Sequence, residues 1–294
     1  MTESFNALHE FIETHNNLRI CILDNNNIQF CMHNQRFFPI DKIYEHYDIV
    51  LIPGWVHAEV GQSDRRLQYI EELTKPLFIL DEVTDYLPFV NYQDERLINV
   101  FFNASPPSSK PRRYLRTLIS KIKENKARIL RGEDIAIEDV IENWMENYYS
   151  DGFDTKETAS GDLKKNAGEI SILTLAYLLI HKYKDKIKHI AISSSDKGVL
   201  EIKKNIMDNV STDNLLDVPF TNPIGFLSTD VLLASAHKLG IINDRDVRHL
   251  RKNKKFVICT ISNNDGTNHL IESVLETEEY LSILNAQNTY GILF

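Results

Sequence analysis

Residues Gly168 to Gly198 read GEISILTLAYLLIHKYKDKIKHIAISSSDKG. Ile170, Leu173, Leu175, Leu178 and Leu179 fall near the i, i+3, i+4 spacing of a helix, with no Pro or Gly between them. After a Lys-rich turn, the short run Ile190-Ala191-Ile192 ends in small polar residues and predicts a strand. Glu169 stands at the entry of the helix, and Asp196 at the carboxyl end of the strand. Carboxylates are seldom buried without partners. In an open α/β sheet, ligands bind at the carboxyl ends of the strands.

Working outward, the same grammar recurs. Residues 3–16 predict an amphipathic helix with Phe5, Leu8, Phe11 and Ile12 on one side, within an amino-terminal unit of residues 1–17. Leu18–Leu23 predicts a buried strand that stops at Asp24-Asn25-Asn26-Asn27, a turn by composition. Asp48–Ile52 predicts a second strand ending at Pro53-Gly54, followed by a helix that carries Glu59. Leu77–Leu80 predicts a third strand and Leu97–Phe102 a fourth. The breaker Ser105–Ser109 opens a helical segment, 103–166, with helices over Pro111–Leu130 and Ile135–Tyr149, then a polar loop over 150–166. Beyond Asp196, helices are expected over 199–206, over Val231–Leu239 behind a Ser228-Thr229-Asp230 cap and ended by Gly240, and over Asn243–Lys252. The last segment, 253–294, predicts a strand at Phe256–Ile261, a helix near Glu278–Leu284 capped by Thr277, and an apolar strip at Tyr290–Phe294. Strand and helix alternate through most of the chain. The expected fold is therefore α/β, a central, mostly parallel sheet flanked by helices, with the main domain formed by 18–102 and 167–252.

Composition bounds the rest. In 294 residues, 43% hydrophobic and 26% charged, no apolar run approaches the roughly 20 residues that span a bilayer. The acidic, amphipathic start lacks secretory chemistry, and the three cysteines form no CxxC pair, so a reduced cytoplasmic protein with no membrane is expected. A net charge of −9 argues against coating nucleic acid through a bulk positive field, yet leaves room for a local basic face.

Asp24, Glu59, Glu169 and Asp196 share one description: each follows a strand or opens a helix, so a parallel sheet could gather them at one edge. Converging carboxylates repel unless a cation neutralises them, and their hard oxygens suit Mg²⁺ or Mn²⁺. Such ions serve phosphodiester hydrolysis by lowering the pKa of water and offsetting phosphate charge. Ile22-Leu23-Asp24, Pro53 to Val60 with Glu59, Gly168-Glu169-Ile170-Ser171, Ser194-Ser195-Asp196 and the later Leu239-Gly240-Ile241-Ile242 turn occur in an order that resembles a PIN-domain nuclease. The resemblance spans about 18–252, with 103–166 as a helical insertion and 253–294 as a carboxy-terminal extension. It implies a metal-dependent endoribonuclease with Asp24, Glu59, Glu169 and Asp196 as metal ligands and Ser194 as the hydroxyl supporting the last acid. It also implies an RNA substrate. A toxin or defence role, a protein inhibitor or activator, and a homo-oligomer are compatible with it by analogy.

Each acid also has a plainer reading as a helix cap or dipole partner. Asp81, Glu82 and Asp85 also follow a strand and could supply an extra ligand, the stronger reading being plain loop carboxylates. The run from Lys110 to Arg131 holds nine cations against Glu124 alone. Lys110, Arg112, Arg113, Arg116 and Lys123 are candidate RNA contacts, with Tyr114 for base stacking; the alternative is a solvated face. A second basic run, holding Arg248 and Arg251, could extend that surface. His57, His237, Trp55 and Trp144 are read as structural. Asn26 lacks the second acid of a haloacid-dehalogenase-type phosphatase, and neither a glycine-rich dinucleotide turn nor a P-loop is present. The competing function is a non-catalytic PIN-like module that binds protein or RNA.

Overall fold

In the computed structural model, residues 3–133, 136–158, 161–210, 215–218, 223–262, 268–286 and 290–294 are described. The strands are β1 (Leu18–Leu23), β2 (Ile49–Pro53), β3 (Leu77–Leu80), β4 (Thr155–Thr158), β5 (Gly161–Lys164), β6 (Ile187–Ser193), β7 (Ile224–Phe226), β8 (Lys255–Ser262), β9 (Asn268–Leu275) and β10 (Tyr290–Ile292). Five of them form an all-parallel sheet in the order β3-β2-β1-β6-β7. β1 and β2 are buried almost throughout, as continuous apolar strands covered on both faces must be. Ile20 pairs with Ile49 on one side and Ile190 on the other, so β1 is the central strand.

The order fixes where a site can form. From β1 the chain builds outward through β2 and β3, then returns to the opposite side of β1 with β6 and β7. Strand order reverses between β1 and β6, and a crevice opens at the carboxyl ends of the two strands at such a reversal. Asp24 and Ser194-Ser195-Asp196 leave those two ends.

The helix Ala167–Tyr183 supplies the centre of the core. Fourteen of its residues are buried, including Ile170, Leu173, Leu175, Leu178 and Leu179. A helix apolar all round has to be enclosed. It packs on β2 and β6 and against the helices Gly54–Val60, Asp94–Ala104 and Lys197–Val210. The amino-terminal helix Glu3–Thr14 is no free appendage, since Phe5, Leu8 and Ile12 are buried and Phe5 meets Phe89 edge to face.

Several expectations are corrected. Leu97–Phe102 is not a strand but lies in the helix Asp94–Ala104; Leu97, Phe101 and Ala104 share a helical face, and Asp94 and Glu95 favour the amino-terminal turn. The helix expected over 135–149 is broken, with Glu138–Ile141 and Trp144–Asp151 separated by Asn143 in the left-handed region (φ 51°); Ile135 lies outside the described residues. The polar stretch 150–166 contains the hairpin β4–β5. The run at Asp24–Asn27 is no turn: the helix Asn25–His33 starts there. Glu276, not Thr277, caps the helix Thr277–Leu284 through a capping box with Glu279. β8 is central in a second, antiparallel sheet, β10-β8-β9. The cap at Ser228, the helix Lys110–Leu130, and Gly240 (φ 70°) closing its helix agree with the sequence; Asn243, expected inside its helix, instead caps it through a capping box with Asp246. Among the described residues no helix is long and apolar enough to cross a membrane, and Cys21, Cys31 and Cys259 are free and buried.

Candidate functional site

The reversal between β1 and β6 is stitched by the chain itself. The Asp24 amide donates to the Ser193 carbonyl at 3.1 Å, continuing the ladder one residue past β1. The buried Ser194 hydroxyl donates to Asp24 Oδ2 at 2.7 Å and accepts from the Asp196 amide at 3.2 Å. Ser194 is thus a positioning residue between two acids. Asp24 stands at the N-cap of the helix Asn25–His33 without a side-chain cap bond of normal geometry, although the Asn25 and Asn26 amides act on its carboxyl and oppose the rise in its pKa. Asp196 does act as a cap, its Oδ1 accepting from the Gly198 amide at 2.7 Å.

Glu59 and Glu169 reach the same edge from two helices. Glu59 lies in the last turn of Gly54–Val60 and Glu169 in the first turn of Ala167–Tyr183. Gly168 lets these helices meet: a Cβ there would lie 3.2 Å from Val56 Cγ2 and 3.3 Å from Glu59 Oε1. Glu169 and Asp196 line a cleft of about 210 Å³ with Pro106, Pro107, Asn166 and Glu201.

The charges report on one another. Burial pushes the Asp24 carboxyl up to about 6, with the Ser194 hydrogen bond opposing and the Asp196 charge adding. Burial, then repulsion from Asp24, raises Glu59 to about 7, while Asn25 and Arg66 pull it back. Glu169 rises to about 8 by burial, then by Asp24, with smaller contributions from Asp196 and Glu59. All four acids therefore share one electrostatic environment, in which protons or a cation would relieve the repulsion. As the side chains stand, no group of three or more His, Cys, Asp or Glu among the described residues is arranged to hold a metal ion.

Sequence reasoning passed over the residues between the acids. Asn25 Nδ2 donates to Glu59 Oε2 at 3.3 Å, and Arg66 donates to Asn25 Oδ1. Asn27, fully buried, donates to the Leu227 carbonyl at 2.6 Å and accepts from the Ser195 hydroxyl at 2.7 Å. The asparagine run was the available signal, but turn composition masks such a role. Glu82 was read as a loop acid and is fully buried. Both its oxygens accept from the Trp55 amide, at 3.0 and 3.1 Å, and Oε1 accepts from the Ser171 hydroxyl. It therefore ties the start of the Glu59 helix to the Glu169 helix. Burial holds its carboxyl up at about 8. Asp81 caps its own helix, and Asp85 accepts the amides of Asp81 and Phe5.

The basic candidates divide. Arg113, Arg116 and Lys123 are exposed. Lys110 donates to the Phe153 carbonyl, and Arg112 donates to the Ser105 carbonyl and lies 4.2 Å over the Phe102 ring, so both face partly inward. Lys110, Arg113, Tyr114, Lys121, Asn147 and Asp151 line an open groove of about 640 Å³. In the second run the two candidate arginines are engaged within the protein. Arg251 is wholly buried, its Nε donating to Asp230 Oδ2 at 2.9 Å and its guanidinium 4.6 Å from the Tyr280 ring, and so cannot meet a phosphate. Arg248 is held bidentate by Glu278 at 2.7 and 3.0 Å.

No protein-family model matches the chain, and neither a curated protein nor a solved structure matches it.

Proposed function

We propose that the chain is a Mg²⁺- or Mn²⁺-dependent ribonuclease of PIN-like architecture that hydrolyses RNA phosphodiester bonds. The observation that carries this reading is the meeting of four acids at the carboxyl edge of a parallel sheet, where each of Asp24, Glu59 and Glu169 is raised by burial and by a neighbouring carboxylate. Repelling, half-buried oxygens fit a hard divalent cation better than any softer metal. Asp24, Glu59, Glu169 and Asp196 would hold it, with side-chain rotation closing the set. When bound, such an ion lowers the pKa of water and offsets charge on the phosphate oxygens. Ser194 holds Asp24 and the Asp196 backbone in one register; Asn25 and Arg66 hold Glu59. Arg113, Arg116 and Lys123 would contact the RNA backbone, with Tyr114 beside them for a base.

The test is cleavage of a mixed RNA pool by purified protein with Mn²⁺, with EDTA, and with the Asp24→Asn, Asp196→Asn double variant. Cleavage that requires the metal and drops at least 100-fold in the double variant is expected. Intact RNA in every lane, with all samples folded, would move the reading to a non-catalytic binding module.

A further inference from the structure

We propose that a second cavity, beside the acidic site, binds a phosphate monoester. It measures about 230 Å³ and lies where three parts of the chain meet. Ser195 comes from the loop after β6, Lys197 from the start of the helix Lys197–Val210, Thr229 and Asp230 from the first turn of the helix Thr229–Lys238, and Lys255 from the start of β8. Asp196 stands between two of these residues, so the cavity borders the carboxylates without sharing them.

Its polar atoms specify the occupant. Two ammonium groups, Lys197 and Lys255, line it at the positive end of a ten-residue helix, a setting for an anion. Ser195 is already spent: its hydroxyl accepts from the Thr229 amide at 2.8 Å and donates to Asn27. Thr229 Oγ1 accepts from Lys255 Nζ at 2.9 Å and lies 3.2 Å from the Ser195 hydroxyl, so it too is engaged within the protein. Lys197 is loosely held, 3.7 Å from Glu201 Oε1 with its Nζ 5.0 Å from the Phe256 ring centre.

Asp230 supplies the independent observation. Its side chain is 4% exposed, Arg251 donates to Oδ2, and Oδ1 has no hydrogen-bond partner among the described residues; Lys255 Nζ is 3.9 Å away. A buried acceptor without a donor costs about 1–3 kcal/mol. The occupant should therefore offer both anionic oxygens, for the two lysines, and an O–H for Asp230. A phosphate monoester in its monoprotonated form has both, and with its second pKa near 6 that form is accessible close to neutrality. A backbone diester carries no P–OH, and sulfate at the same pH carries no proton.

The experiment is calorimetric titration of the full chain at pH 6.5 in EDTA, which keeps the answer independent of whether the chain cleaves RNA. The probes are inorganic phosphate, sulfate, a mononucleotide 5′-phosphate, and one octaribonucleotide with either a 5′-phosphate or a 5′-hydroxyl. Saturable phosphate binding at least tenfold tighter than sulfate is expected. Lys197→Ala, a change at an exposed side chain, should weaken phosphate at least fivefold without moving the melting temperature, and Lys255→Met should do so more strongly. Tight binding of the 5′-phosphorylated octamer identifies an RNA terminus as the source of the ester; binding of the mononucleotide alone identifies a free small ester. Equal affinity for phosphate and sulfate, no saturable binding, or wild-type binding by Lys197→Ala would overturn the assignment.

Discussion

Gly168 carries more than its size suggests. It sits inside a helix, where Ala is favoured by about 1 kcal/mol, and its backbone needs no left-handed conformation. Gly168→Ala should therefore leave stability within about 1 kcal/mol of wild type, the propensity gain set against contacts at 3.2 and 3.3 Å to Val56 and Glu59. On the proposed ribonuclease reading, metal-dependent cleavage should nonetheless fall at least tenfold, because the added methyl displaces Glu59. Parallel urea melts and cleavage rates check this, and equal losses in both would refute it. Glu82 separates differently. With its carboxyl held at about 8 it is mostly neutral at pH 7, so Glu82→Gln should cost under about 1 kcal/mol. Glu82→Ala should cost about 2–4 kcal/mol, since the Trp55 amide and Ser171 hydroxyl lose their acceptor. Urea unfolding of the two variants would show it. The placement of Asp24 and Asp196 after β1 and β6 was legible because a strand that ends in an acid is a local pattern. Glu82 was not, because its partners stand 27 and 89 residues away. Arg251 was misread for the same reason, since nothing near it announces Asp230 and Tyr280.

At the scale of elements, the helix Lys110–Leu130 presents two kinds of cation. Lys126 pairs with Glu95, and Arg128 and Arg131 with Glu133, whereas Arg113 and Lys121 face the open groove. If RNA lies there, each phosphate contact contributes about −0.7 to the slope of log K against log salt for a single strand. Arg113→Ala with Lys121→Ala should flatten that slope by about 1.4, and Lys126→Ala with Arg128→Ala should leave it unchanged. Fluorescence anisotropy in EDTA across a salt series is the measurement; an equal effect from both pairs would make the helix a general counter-charge. The strong apolar runs of β1, β2 and β6 could be read directly, because near-continuous burial leaves a plain signature, and β3 was read from its apolar composition although only Leu80 is buried. Leu97–Phe102 looked the same over six residues, and only the flanking acids and the length of the element distinguish the helix. β9 and β7 were hidden by their mixed or very short sequences.

For the whole molecule, the raised carboxyls have one sign. Asp24, Glu59, Glu82 and Glu169 all bind protons more tightly folded than unfolded. Their stabilising contribution is complete below the unfolded carboxylate range and is lost as pH rises through about 6 to 8. In EDTA the melting temperature should fall from pH 5.5 to 8.5. On the proposed metal site, saturating Mn²⁺ should raise it and flatten that fall, because a cation would take the place of the protons on three of the four; the residual slope belongs to Glu82. Scanning fluorimetry over that range decides it, and a flat profile without metal would contradict the shared environment.

The bond between Ser194 and Asp24 spans 170 residues. Chains are synthesised at about 5–20 residues per second, so on the order of 10–30 s separate the appearance of its two ends on the ribosome. Through that interval β1 has β2 beside it but leaves its other edge unpaired, and the acids of the first half wait without those of the second. A nascent chain accordingly lacks the completed acidic edge, and it meets its longest exposure to mispairing before β6 emerges.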